Sequence, residues 1–224
     1  GTILDWHTGF KNAFVEAGKE HNLNRDWSEI TNELRRKSLK SVLNLGEHSP
    51  PKYNFDGGHE IALKEIISQF DLDQFTEKNI HDISYKAPHN FIVWDDFPEA
   101  LTKLKKKFLC VSFTLLSFKL IIDTARINNL TWDAVFSCEG IGKYKILPEA
   151  YETAAKWLQL DPSECGMVAC HNFDLDAAKM VGFKTIFVKR PLEWGEEGPP
   201  DPEANPHHDL IVNNFTELTE SLEC

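Results

Sequence analysis

The chain has 224 residues, with 24 basic against 35 acidic side chains and a formal net charge of −11. At 42% hydrophobic and 26% charged residues it has the make-up of an ordinary folded domain, which excludes wholesale disorder. The acidic balance argues against a nucleic-acid partner, which needs a surplus of Lys and Arg. The longest apolar runs, such as residues 108–113, fall far short of the ~18 residues of a membrane helix, so no membrane partner is expected.

In chain order, the first half is helical in pattern. Residues 12–20, 27–43 and 58–70 carry apolar side chains at three- and four-residue spacing, and Ser49-Pro50-Pro51 breaks the series. The second half alternates short apolar runs with helical patterns. Residues 97–107 open it as a helix, and 108–113 follow as a buried strand. Further strands are expected at 134–137, 166–170, 185–188 and 210–212, with helices at 116–128, 148–158, 174–181 and 215–222. Asn128-Asn129 and Gly182 mark helix ends, and Leu147-Pro148 a helix start. This order predicts an α/β fold: a Rossmann-like parallel sheet core with an inserted helical cap. The expected division is residues 1–10 with 88–224 as core and 11–87 as cap.

The five cysteines, Cys110, Cys138, Cys165, Cys170 and Cys224, are odd in number and form no CxxC pair, which predicts free thiols and a reducing, cytoplasmic location. No signal-peptide pattern opens the chain, and no initiator Met is present.

Ligands of parallel sheets bind at the carboxyl ends of the strands. Thr2, Thr114, Ser117, Lys145, His171 and Asp174 all fall at or just past expected strand ends. A hydroxyl, an ammonium and a carboxylate meeting at one edge can hold and use an anion. His207-His208-Asp209 has metal-ligand chemistry on paper. Adjacent histidines seldom converge on one ion, so a surface turn is expected there, and no metal site. Trp194 and Gly198-Pro199-Pro200-Asp201-Pro202 are expected in a loop packed near the sheet edge.

In combination and in this order, three segments resemble the haloacid dehalogenase superfamily, and within it the type II 2-haloacid dehalogenases. Gly1-Thr2-Ile3-Leu4-Asp5-Trp6 resembles the tail of that family's opening DxxGT motif. Gly142-Lys-Tyr-Lys-Ile-Leu-Pro-Glu-Ala-Tyr151 is similar to its G-x-Y-K-P-x-P-x-x-Y segment, with Ile146 replacing the first Pro. Val168-Ala-Cys-His-Asn-Phe-Asp-Leu-Asp-Ala-Ala178 resembles the final motif. The resemblance implies that Lys145 orients the nucleophilic carboxylate and that Asp174 holds Lys145 and helps position the hydrolytic water. It matches Thr114 to the hydroxyl residue after the second core strand, with Ser112 as the competing choice. Thr2 matches the opening-motif threonine, Tyr151 the tyrosine near the substrate carboxylate, and Arg35 the cap arginine that receives the halide, with Arg36 as the alternative. His171 stands where many members have Asn and would contact the nucleophile or the water.

Two departures bear on function. Phosphatases of the superfamily hold magnesium largely through carboxylates of the first and last motifs, and one of those acidic positions is here Cys170, a poor ligand for a hard cation. That favours dehalogenation, with no metal or organic cofactor. The nucleophilic Asp of DxxGT would lie three residues before Gly1, and the expectation is that the natural chain carries it there. The implied activity is hydrolysis of a short 2-haloacid or similar small anion through an aspartyl ester. A phosphohydrolase and a non-catalytic binding protein are the alternatives, and a homodimer is a possible assembly.

Overall fold

The computed structural model describes residues 1–44 and 54–224. The expected break at Ser49-Pro50-Pro51 lies outside the described residues. Asp5 caps the first helix, its carboxylate accepting from the Thr8 amide at 3.0 Å, and α1 runs Trp6–Glu20. It is followed by α2 (Trp27–Asn44) and α3 (Phe55–Gln69), the latter capped by Asn54. A capping box of Thr76 and Asn79 starts α4 (Glu77–His81), which continues through a π-helical turn, Asp82–Lys86, into α5 (Ala87–His89). After α6 (Phe97–Leu104) the parallel elements begin: β1 (Val111–Thr114), α7 (Phe118–Ile127), β2 (Ala134–Ser137), α8 (Cys138–Ile141) and α9 (Pro148–Leu158). Then come β3 (Gly166–Ala169), α10 (Asn172–Val181), β4 (Lys184–Val188), β5 (Leu210–Val212) and α11 (Phe215–Ser221).

Among the described residues the named strands pair in parallel, as the alternation of periods predicts, in a two-stranded and a three-stranded sheet. β1 pairs with β2 in the register Val111 to Ala134, and β4 lies between β3 and β5. Pro148 sits in the first turn of α9, where its missing N–H leaves no bond unmade. Gly182 closes α10 at φ 111°, in the region a side chain would disfavour.

Two expectations need correction. The run 108–113 is not one buried strand. Helix α6 ends in a lysine-rich turn, the Phe108 amide still bonds the Leu104 carbonyl, and Phe108 and Leu109 are 46% and 67% exposed. The ladder therefore starts at Val111 and runs one residue further, to Thr114. Residues 1–4 form no ladder strand; their ladder-type pairing is one antiparallel bridge, Leu4 to Val93, before α1 starts at Trp6.

The main core joins both halves of the chain. Trp6, Phe10 and Phe14 of α1 pack with Ile30 and Leu34 of α2, Ile66 of α3, Val188 of β4 and Phe215 of α11. A second cluster lies around Tyr151, Met167, Leu175 and Phe187. Arg190, just past β4, knots distant segments together. Its guanidinium donates to both Asp96 oxygens at 2.9 Å and to the Thr2 carbonyl at 2.9 Å, and it lies over the rings of Trp94 and Phe215. Asp96 in turn accepts from the Phe215 amide at 2.8 Å. Among the described residues no helix is long and apolar enough to cross a membrane, and all five cysteines are free.

Candidate active site

The site is assembled at the carboxyl ends of β1 and β3. Lys145 lies in the turn before α9 and Asp174 in the first turn of α10. Their side chains, 6% and 9% exposed, meet at 2.8 Å between Nζ and Oδ2. Asp174 Oδ1 accepts from the Tyr151 hydroxyl at 2.7 Å, so each carboxylate oxygen has its own donor. The Lys145 ammonium lies 4.5 Å from the centroid of the Phe113 ring, and that ring meets Tyr151 edge-on. Burial, and then the Asp174 charge, push the Tyr151 phenol well above its ordinary value and keep it a donor. The Lys145–Asp174 contact is the one the motif resemblance implies. Tyr151, the tyrosine that the resemblance sets near the substrate carboxylate, is wholly buried and donates to Asp174.

A second group gathers beyond β3. Thr2 Oγ1 accepts from the Cys170 amide at 3.1 Å and lies 3.5 Å from its sulfur. His171 Nε2 is 2.9 Å from Glu193 Oε1 and 3.4 Å from Cys170 Sγ, and the Trp6 indole donates to the same Glu193 oxygen at 3.0 Å. Burial alone would lower the His171 pKa, but the Cys170 sulfur and the Glu193 carboxylate outweigh it and push it up to about 10. Burial would raise the Glu193 pKa, yet the facing His171 and Arg35 help hold it well below its ordinary value. The pair is therefore an imidazolium bound to a carboxylate.

The structure separates the two arginines of α2. The Arg35 guanidinium lies 5.2 Å over the Trp6 ring and 5.9 Å from Phe55, and its buried Nε has no hydrogen-bond partner among the described residues. Burial lowers its pKa, and Glu193 and Cys170, which share its neighbourhood, raise it. Arg36 is paired with Glu33 and Glu197 and lies 5.2 Å over the Trp194 ring. Thr114 ends β1, its hydroxyl accepting from the Leu116 amide at 3.1 Å, while Ser112 is buried within the strand. Ser117 does not offer a free hydroxyl. It caps α7 by accepting from the Leu120 amide, and donates to Asp56 Oδ2 at 2.6 Å.

Glu193 is the site residue that the sequence did not flag. It lies in the loop after β4, and the signal was its place past a strand's carboxyl end. His207-His208-Asp209 is also not a plain surface turn: His208 is buried against Thr185 and Asn172. Trp194 is buried, as expected of a packed loop.

The residues present do not suit the magnesium that the fold family's phosphatases use. Asp174 is held by Lys145 and Tyr151, and Cys170 offers sulfur where a hard cation needs oxygen.

The chain matches no protein-family model and no curated protein. Solved structures do match. An L-2-haloacid dehalogenase shares 28% identity at a TM-score of 0.89, covering 100% of this chain and 95% of that one. A defluorinating L-2-haloacid dehalogenase shares 25% identity at a TM-score of 0.91, covering 100% of this chain and 92% of that one. The Xanthobacter autotrophicus L-2-haloacid dehalogenase with chloropropionic acid covalently bound, at 19% identity and a TM-score of 0.81, agrees in fold over 100% of this chain and 95% of its own.

Proposed function

The chain has the fold of the haloacid dehalogenase superfamily and resembles its L-2-haloacid dehalogenases, and from that premise we propose that it hydrolyses short 2-haloacids. The observation that carries the proposal is Arg35. An arginine over the Trp6 ring, with a buried Nε that no described residue engages and with Cys170 at the end of β3 in its neighbourhood, is a site for a small anion.

The nucleophile is the Asp that the resemblance places before Gly1. One of its oxygens attacks the carbon that bears the halogen, the carbon–halogen bond breaks with its electron pair, and halide leaves toward Arg35. Lys145 neutralises the attacking carboxylate and is itself fixed by Asp174. Water then adds to the carbonyl carbon of the ester, which releases the 2-hydroxy acid and restores the carboxylate. Splitting one hard displacement into two easier steps is covalent catalysis. Thr114 and Thr2 line the strand ends beside the substrate, and His171, clamped by Glu193, faces the nucleophile as a donor. The described helices within residues 11–87 act as the cap that brings Arg35 over the sheet edge.

The test is halide release from 2-chloropropionate and monochloroacetate by the natural protein, followed by ion chromatography with and without EDTA. Release that persists in EDTA and is strongly reduced in Arg35→Ala is expected. Magnesium-dependent phosphate release from p-nitrophenyl phosphate, with no halide from either haloacid, would replace this function with a phosphohydrolase.

A further inference from the structure

We infer that Asp176, His207 and His208, joined by Asn172, form a binding site for a divalent transition-metal ion of the zinc class, which fastens the loop before β5 to α10. The site is separate from the one described above and does not depend on the proposed activity.

The donor atoms of Asp176, His207 and His208 all lie within 4.8 Å of one another. His207 Nε2 is 2.7 Å from Asp176 Oδ1, His208 Nε2 is 3.9 Å from the same oxygen, and Asn172 Oδ1 is 3.1 Å from His208 Nε2. Donors on a tetrahedral zinc at about 2.0–2.2 Å lie roughly 3.4 Å apart, so these spacings straddle the required value. Two imidazoles and one carboxylate, with the Asn172 amide oxygen beside His208, make a set that suits zinc better than magnesium.

The surroundings support a metal-bound state as well as the present one. The Asn205 amide donates to Asn172 Oδ1 at 2.9 Å and Asn172 Nδ2 donates to the Glu203 carbonyl at 2.9 Å, which fixes the Asn172 oxygen toward His208. His208 Nε2–H then donates to that oxygen, and Nδ1 accepts from the Thr185 hydroxyl. When Nε2 binds an ion, the ring proton moves to Nδ1 and donates to Thr185 Oγ1, 3.2 Å away. The Thr185 hydroxyl can turn to donate to Asp209 Oδ2, also at 3.2 Å. A ligating histidine, a hydroxyl and a carboxylate in series is the outer support that metal-binding histidines use. His207 and Asp176, at 50% and 39% exposed, leave the site open to solvent for entry.

Such an ion would tie the loop to the start of α10, where the Asn172 amide already bonds Asp201. Equilibrium dialysis of chelator-treated protein against Zn²⁺, with Co²⁺ absorption spectra in parallel, tests this. One equivalent, the visible bands of four-coordinate cobalt and a raised melting temperature are expected for the wild type and for His81→Ala, a histidine control remote in sequence. His207→Ala, whose side chain is half exposed, and Asp176→Asn should each weaken zinc binding by about tenfold or more while keeping the circular dichroism spectrum. Cys170→Ser should bind as the wild type does. No bound equivalent, equal binding in His207→Ala and the wild type, or loss in Cys170→Ser instead would overturn the proposal; the last result would move the ion to Cys170, His171 and Glu193.

Discussion

Replacing Lys145 by Met keeps the length of the side chain and removes its charge, which isolates the Lys145–Asp174 pair. Both partners are nearly inaccessible, at 6% and 9% exposure, and they meet at 2.8 Å. Without the ammonium, Asp174 keeps only the Tyr151 hydroxyl as a side-chain donor, at 2.7 Å. Breaking a buried pair on one side costs about 3–5 kcal/mol, because an uncompensated charge stays behind. Taking a urea m value of about 3 kcal/mol/M for a chain of this size, the midpoint should fall by roughly 1–1.7 M. The double variant Lys145→Met, Asp174→Asn removes both charges and leaves Tyr151 an acceptor. It should therefore lose at least ~1.5 kcal/mol less than the sum of the two single variants. Urea unfolding followed by tryptophan fluorescence measures all four proteins. A Lys145→Met loss below about 1 kcal/mol, the range of a surface pair, would refute the buried pair.

The His171–Glu193 pair makes stability depend on pH from both sides. With the His171 pKa raised from 6.5 to about 10, its contribution is full below pH 6.5 and is lost as pH climbs toward 10. Glu193, lowered from 4.5, contributes fully above that pH and loses its contribution as pH falls further. Urea midpoints should thus be highest between about pH 4.5 and 6.5, with His171→Asn flattening the alkaline side; an unchanged pH profile in that variant would contradict the pairing. Arg35→Ala should lower kcat/KM for a haloacid by about 10²–10³, whereas Arg36→Ala, paired at the surface with Glu33 and Glu197, should change it little; equal effects would undo the distinction. Thr2→Val removes the hydroxyl that accepts from the Cys170 amide and should cost about 1–3 kcal/mol in thermal or urea unfolding.

Much of the fold was legible because its signals are local. Pro148 and Gly182 set helix ends through fixed φ and freedom at positive φ, and four of the five parallel strands coincide with short apolar runs almost to the residue. The fifth run began three residues early, since apolar character alone does not separate a strand from the exposed turn of Phe108 and Leu109 that leads into it. Within the site, the resemblance of two segments to family motifs brought Lys145 and Asp174 together, and they meet in the structure. Arg35 and Arg36 stayed open, because neighbours on a helix point about 100° apart and only packing decides which one faces inward. Glu193 was hidden for another reason. Its partners Trp6 and His171 lie 187 and 22 residues away, so no local pattern marks it. Tyr151 was found by motif, but its bond to Asp174 was not legible, since burial behind Asp174 is a property of packed elements.

Arg190 bears on how fast the fold is lost as well as on how stable it is. Its partners Asp96 and Thr2 lie 94 and 188 residues away along the chain, and Asp96 bonds Phe215 across 119 more. Contacts of such separation are made only after long loops have closed, so they belong after the folding barrier, not in the nucleus. Such contacts set the rate of escape from the native state. Arg190→Met should therefore speed unfolding with little change in the folding rate, so the knot acts as a latch whose strength is read in the protein's lifetime.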